Sequence, residues 1–238
     1  MVNASTDLLL SILSATREYP ETSVEKLVIL CKHPPDLMAT QLKSLEDAHL
    51  LQYDRIHGNL NVSHRLDIAI EAVNLGADME RVSRLLTWQE FEEISKESLE
   101  STGFKTRRHT VFKWLTRRYE IDLLGMKEPI IIVADCKRWR QNQASRLNTA
   151  ANEQLLRTEA FQRFLPEHLH QFGLQTWRSI QLIPAIIEIA TREATLFDGV
   201  PIVPVLKLRS FLDQIDPFVP GLTILKVDIS RRIKTLTN

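Results

Sequence analysis

The chain contains few of the residues on which several protein classes depend. Only Cys31 and Cys136 occur in 238 residues, so there is no disulfide framework, and a cytoplasmic location is expected. The seven glycines form no phosphate-cradling loop, and the histidines and cysteines show no zinc-site spacing. No apolar run approaches the roughly 20 residues of a membrane span, and the N-terminus lacks the basic start of a signal peptide. ATP use, structural zinc and membrane insertion are therefore not expected.

The formal net charge of the chain is zero, but the charges are unevenly distributed. Residues 1–86 hold 8 Lys/Arg and 12 Asp/Glu, whereas residues 87–238 hold 22 and 18. The asymmetry predicts two parts with different roles. We expect an N-terminal domain over residues 1–82 and a second domain over residues 83–238.

The N-terminal part has three helical patterns followed by a short hairpin. Apolar stripes at helical spacing begin at Leu8, Val24 and Met38, and the second follows a capping-box pattern that starts at Thr22. Two short extended pieces then flank the turn residues around Gly58. This order of elements predicts a winged helix-turn-helix domain.

The second part alternates helical and extended patterns. A capping box at Thr87–Glu90 predicts a helix that ends near Gly103. The remaining elements are predicted as strands at 119–124, 130–137, 180–189, 200–208 and 222–227, and helices at 142–165 and 210–215. The fold class expected for this part is α/β.

Two aspartates and a lysine stand where apolar strands end. Asp122 and Asp135 are 13 residues apart, and Lys137 follows the second aspartate by two positions. Because side chains alternate between the faces of a strand, Asp135 and Lys137 share one face and Cys136 points the other way. If the two strands are neighbours, the aspartates meet at one end of the sheet. Two adjacent carboxylates repel each other unless a cation lies between them, and Mg²⁺ prefers such oxygen ligands.

A third carboxylate is expected from the helix that precedes these strands. Glu90 fits the capping box, and Glu93 shares a solvated stripe with other glutamates. Glu92 shares its stripe with apolar or small residues, so it is the glutamate that we expect to point inward.

Taken together, these motifs resemble the PD-(D/E)XK nuclease signature. The matching residues are Phe91-Glu92, Glu120-Ile121-Asp122 and Asp135-Cys136-Lys137. The resemblance covers roughly residues 87–210 and is closest to archaeal Holliday-junction resolvases and Mrr-type restriction endonucleases, including archaeal proteins that carry a winged helix. Two departures are that Ile121 stands where proline is usual and that Asp135 replaces the more frequent glutamate.

The resemblance implies a fold, an activity and a set of site residues. The fold would be a restriction endonuclease-like core, a mixed central sheet flanked by helices, preceded by the winged helix. The activity would be divalent-metal-dependent hydrolysis of DNA phosphodiester bonds. Mg²⁺, or Mn²⁺ in its place, would be bound by Asp122, Asp135, the Cys136 carbonyl and Glu92, and Lys137 would orient or activate water.

A basic segment without acids, from Lys105 to Tyr119, is the candidate DNA-binding surface. The arginines expected to contact DNA phosphates are Arg107, Arg108, Arg117, Arg118, Arg138 and Arg140. Gln154 and Arg157 share one face of the long helix, and either a phosphate contact or a solvated face accounts for them.

Other interpretations of the same residues stay open. The aspartates and Lys137 also suit a salt-bridge cluster at a sheet edge, and the fold also suits a non-catalytic DNA-binding or regulatory protein. The third N-terminal helix is net negative, which disfavours insertion into a major groove. A structural, dimerising or partner-binding role is therefore favoured for the N-terminal domain, and a homodimer is left open.

Overall fold

The structure, a computed structural model, describes residues 4–137, 144–188, 194–215 and 220–229. The chain forms two compact units, and the boundary between them lies between Phe91 and Glu92. This boundary is later in the chain than the predicted one at Ser83. In the described part of the chain, no helix is long and apolar enough to cross a membrane.

The first unit combines five helices with three short strands in its described residues. In chain order the elements are α1 (Thr6–Ala15), β1 (Glu21–Ser23), α2 (Val24–Cys31), α3 (Pro35–Asp47), β2 (Gln52–Asp54), β3 (Asn59–Asn61), α4 (Arg65–Asn74) and α5 (Met79–Leu85). The strands form an antiparallel sheet in the order β1-β3-β2. The cap of α2 differs from the prediction: Ser23, not Thr22, accepts a hydrogen bond from the Lys26 amide.

A buried arginine connects several segments of the first unit. The side chain of Arg65 is 8% exposed, and its Nε donates to Glu90 at 2.7 Å. Its guanidinium also donates to the carbonyls of Leu13 and Leu85 and to the Thr16 hydroxyl. A buried charge is tolerated when it is paired and hydrogen-bonded, as it is here.

The second unit is built on a mixed sheet of seven strands among the described residues. Its elements are α6 (Trp88–Ser101), which begins before the division, β4 (Lys105–Trp114), β5 (Arg117–Lys127), β6 (Ile130–Lys137), α7 (Ala144–Phe164), β7 (Gln181–Glu188), β8 (Thr195–Phe197), β9 (Val200–Pro204), α8 (Leu208–Asp213) and β10 (Leu225–Lys226). The strand order is β4-β5-β6-β7-β9-β8, with β10 also paired to β7. Strands β4 to β6 are antiparallel, and β6, β7 and β9 are parallel. This architecture confirms the predicted α/β class.

Helices cover the sheet through closely packed apolar contacts. Phe161 of α7 packs edge-on against Phe112 of β4, with 5.3 Å between ring centroids. On α6, Leu99 approaches Gly125 of β5 so closely that a Cβ at Gly125 would lie 2.6 Å from a Leu99 methyl carbon. The predicted capping box of α6 is confirmed, because Thr87 and Glu90 exchange side-chain to backbone hydrogen bonds.

The C-terminal elements differ most from the predictions. The strand expected at 200–208 ends at Pro204, which has no amide hydrogen to extend a ladder, and the chain continues as a 3-10 helix and α8. The last strand is reduced to Leu225–Lys226. Strand β8, which pairs antiparallel with β9, was not predicted.

Candidate active site

The site is centred where β5 and β6 pass each other. Leu123 and Ala134 are the last pair of β5 and β6 in the antiparallel register, and Asp122 and Asp135 lie one residue beyond this pair on the two strands. The Cys136 amide donates to Asp122 Oδ2 at 2.8 Å. The predicted meeting of two carboxylates therefore follows from the observed pairing of these strands.

Asp135 is buried between two cations. Its side chain is 5% exposed, and its oxygens lie 2.8 Å from Lys137 Nζ and 2.8 Å from Arg157 Nη1. Arg157 comes from α7, where the neighbouring Gln154 donates to the Val133 carbonyl at 2.6 Å and accepts a short hydrogen bond from Arg157. Helix α7 is thereby fixed to β6 beside the carboxylates, and Gln154 and Arg157 do not lie on a solvated face.

The surroundings of Asp122 disfavour the charged form of its carboxyl. Burial raises the pKa of its carboxyl above the ordinary 3.8; the Cys136 amide hydrogen bond opposes this shift, and repulsion from Asp135 adds to it. Burial likewise raises the pKa of the Cys136 thiol well above its usual value, and the negative charges of Asp122, Asp135 and Glu92 add to the effect. Asp122 and Cys136 thus lie at a poorly solvated strand end beside other carboxylates.

Glu92 lies on α6 near this cluster but makes its ion pairs elsewhere. Its side chain is 16% exposed, against 36% for Glu93, in line with the predicted helical stripes. The Glu92 carboxylate lies 3.7 Å from His109 Nε2 and 3.9 Å from Arg108 Nη1. Its negative charge contributes to the raised pKa of the Cys136 thiol, after burial, Asp122 and Asp135.

The donor set suits a hard divalent cation bound mainly by two carboxylates. Nowhere among the described residues do three or more His, Cys, Asp or Glu side chains group as a metal site, so the predicted set with Glu92 is not assembled. Asp122 and Asp135 alone supply the one or two carboxylates with which proteins commonly hold Mg²⁺. Burial is the main cause of the raised pKa of Asp122, and such an ion would offset the smaller contribution that comes from Asp135.

Two groups at the site were missed or left open by sequence reasoning. Glu188 ends β7, is fully buried, and pairs in register with Lys137. The predicted strand at 180–189 contains Glu188, but its apolar pattern does not mark this acid as a site residue. Arg157 contacts Asp135 from 22 positions away, a separation that only the packing of α7 on the sheet determines.

The predicted DNA-binding arginines divide into two groups on the β4–β5 hairpin. Arg107 donates to the Gln171 carbonyl at 3.1 Å and lies over the Phe172 ring, and Arg108 lies 3.6 Å from Glu93. Arg117 and Arg118 are exposed near the hairpin turn. The other two predicted contacts, Arg138 and Arg140, are outside the described residues.

Comparisons with known proteins give weak structural similarities. No family model and no curated protein matches the chain. A solved structure of a protein of unknown function, AF1548, is 15% identical over 41% of this chain and 46% of that chain, with a TM-score of 0.26. Protein VC1899 from Vibrio cholerae is 12% identical over 87% of this chain and 49% of that chain, with a TM-score of 0.34. The chain thus spans about half the length of these two structures, and similarity at this level assigns it to no family.

Proposed function

We propose that the protein is a divalent-metal-dependent DNA endonuclease of the PD-(D/E)XK type. The observation that carries this proposal is the meeting of Asp122 and Asp135 on paired strands, with Lys137 2.8 Å from the second carboxylate. The position of Asp122 supports it, because its half-buried carboxyl lies beside Asp135 and a bound cation would offset the repulsion between the two carboxylates.

In this proposal the residues have separate tasks. Asp122 and Asp135 would hold Mg²⁺ or Mn²⁺, with the Cys136 carbonyl as a further ligand. The bound ion supplies Lewis-acid stabilisation of the leaving oxygen and lowers the pKa of water. Lys137 orients the attacking water and neutralises charge on the phosphate, and Arg157 holds Asp135 in position from α7.

The finer fold assignment is part of the same proposal. The second unit would be a restriction endonuclease-like core, and the first unit a winged helix. The order of three helices, a hairpin and a further helix in the first unit supports this assignment. DNA is the proposed partner, and the first unit is proposed to bind a protein partner or a second copy rather than to read DNA sequence.

A second candidate is a non-catalytic DNA-binding or regulatory protein. It is favoured by the ion pairs of Asp135, whose two oxygens are both engaged by cations from the chain itself. In that case Asp122, Asp135, Lys137 and Arg157 form a structural salt-bridge cluster that replaces a metal.

The two candidates are separated by replacing one carboxylate. We expect Asp135→Asn to abolish Mg²⁺-dependent cleavage across a panel of linear and branched DNAs, while DNA binding persists. The matched control is Asp213→Asn, since Asp213 is exposed at the end of α8 and should leave cleavage unchanged.

Folding must be checked in parallel, because the change leaves Lys137 and Arg157 without their charged partner. Circular dichroism and the thermal midpoint provide that check. Folded Asp135→Asn protein that cleaves at the wild-type rate would exclude the proposed metal site, and wild-type protein that cleaves no DNA in the panel would favour the non-catalytic candidate.

A further inference from the structure

The β4–β5 hairpin extends beyond the part of the sheet that supports it. In the described residues, β6 pairs with β5 only between Leu123 and Lys127, whereas β4 pairs with β5 as far as Trp114 and Arg117. The hairpin is therefore a two-stranded ribbon from Asp122 to its turn. At about 3.3 Å per residue, the six to seven residues between Asp122 and the turn place the turn roughly 20 Å from the candidate site.

The turn has an unusual residue at its tip. Leu115 and Thr116 are the two residues between the paired strand ends, and Leu115 has φ of 54° with 79% of its surface exposed. Two-residue hairpin turns place glycine or asparagine at positive φ, because a side chain there crowds the backbone. Leu115 is thus a bulky apolar residue in a backbone conformation that favours glycine, and its side chain lies outside the core.

Three cationic residues flank the turn on the two strands. Lys113, Arg117 and Arg118 are exposed beside the turn, and the sequence from Lys105 to Tyr119 contains no acid. In the ranges that the structure describes, neither Lys113 nor Arg118 takes part in a salt bridge. Exposed cations of this kind contact DNA phosphates without regard to sequence.

The ribbon packs against α7 close to its turn. Phe112 stacks on Tyr119 across the two strands at 5.2 Å between ring centroids, and it contacts Phe161 and Phe164 of α7. Arg117 lies over the Tyr119 ring at 5.0 Å. Leu115 consequently lies in a two-residue turn between strands that are packed by aromatic contacts.

We propose that Leu115 is a wedge that enters the base stack of DNA bound at the candidate site. Apolar side chains that enter the minor groove beside basic residues unstack a base step and kink the duplex. The distance of roughly 20 Å corresponds to about six base pairs from the scissile phosphate. The preferred substrate class is therefore DNA that unstacks easily, such as a mismatched duplex. The inference rests on the proposed function.

The test measures base stacking directly and needs no cleavage. Full-length protein is added, in EDTA, to duplexes that carry the fluorescent base 2-aminopurine at successive positions. The wild-type protein should increase 2-aminopurine fluorescence severalfold at one step, and Leu115→Gly should lose this increase and bind about tenfold more weakly. Leu115→Phe should retain both.

Glycine is the informative replacement because it tolerates positive φ, so the hairpin is expected to fold normally. Leu196→Gly is the matched control, since Leu196 is also an exposed leucine of a β-hairpin in the same unit, and it should behave as wild type.

Each outcome supports or overturns the wedge. A fluorescence increase that survives Leu115→Gly, or wild-type binding with no increase at any position, overturns it and leaves the nuclease proposal intact. If Leu115→Gly changes only self-association or protein capture, the tip is a protein contact and the wedge is overturned. No binding of the wild-type protein to any DNA overturns the wedge together with the proposed function.

Discussion

Asp122 is a site residue whose charged form is disfavoured by folding. Its carboxyl is half-buried and faces a second carboxylate, and only the Cys136 amide stabilises its charged form at hydrogen-bond distance among the described contacts. The folded protein therefore holds a proton at Asp122 more tightly than the unfolded chain, whose ordinary value is 3.8.

This raised pKa predicts a pH-dependent effect of Asp122→Asn. A carboxyl with a higher pKa in the folded state binds more protons there, so stability decreases as the pH rises from 3.8 through the folded pKa. Asparagine removes this titration and can still accept the Cys136 hydrogen bond. We expect the variant to gain stability relative to wild type across that window, in urea unfolding without divalent metal. A difference that is constant or decreases with pH would contradict the assignment.

At the scale of elements, the start of α6 is fixed by a capping box that also receives an arginine. Glu90 accepts from the Thr87 amide at 2.6 Å and from Arg65 Nε at 2.7 Å. One carboxylate thus both caps the helix and neutralises a buried cation. The remaining donors of Arg65 satisfy backbone carbonyls at the ends of α1 and α5.

Replacing Arg65 should destabilise the protein strongly. Arg65→Met leaves Glu90 without its cation and buried acceptors without donors, so we expect a loss of about 3–5 kcal/mol in the free energy of unfolding. Arg65→Lys should recover little, because an ammonium group cannot match the planar fork of donors. The control Arg81→Met removes only a weak, exposed ion pair with Asp7 and should cost less than about 1 kcal/mol. Equal stability of the Met variants by denaturant unfolding would disprove the role of Arg65.

At the scale of the whole molecule, the excess of positive charge in residues 87–238 locates the expected DNA-binding surface on the second unit. Arg107 and Arg108 are held by contacts within the chain, so the residues nearer the turn are better placed for phosphate. DNA affinity should therefore depend on salt mainly through exposed residues such as Arg118.

Reversing the charge of Arg118 tests this expectation. Arg118→Glu should weaken binding to unrelated DNA sequences alike and reduce the slope of log affinity against log salt by about 0.9, the value for one phosphate contact. Arg209→Glu, an equally drastic change at an exposed position on α8, should leave the slope unchanged. Fluorescence anisotropy at several salt concentrations gives both slopes, and identical slopes for the two variants would remove Arg118 from the DNA-binding surface.

Sequence patterns predicted the elements around the site well because these elements have clear local signals. Strand β6 has its predicted bounds, and α7 follows its predicted helix closely, since an unbroken apolar run and a long helical pattern leave few alternatives. The register of β5 and β6 then brings the aspartates together.

Contacts that depend on packing could not be predicted in the same way. Arg157 reaches Asp135 only because α7 lies against β6, and Glu188 joins the site only through the parallel register of β6 and β7. Glu92 faces inward as its stripe indicates, yet its partners include His109, whose positive φ of 48° no spacing rule reveals. Strand β8 also escaped prediction, because three residues carry no periodicity.

The buried thiol of Cys136 gives the candidate site a built-in chemical reporter. Its raised pKa keeps the sulfur protonated and therefore a poor nucleophile, and its burial keeps alkylating reagents away. Cys31, the other cysteine of the chain, is half-buried, and its thiol donates to a carbonyl of its own helix. Labelling of Cys136 then requires β6 to separate from its neighbours, so the rate of alkylation records how often the strand that carries Asp135 and Lys137 opens in the native protein.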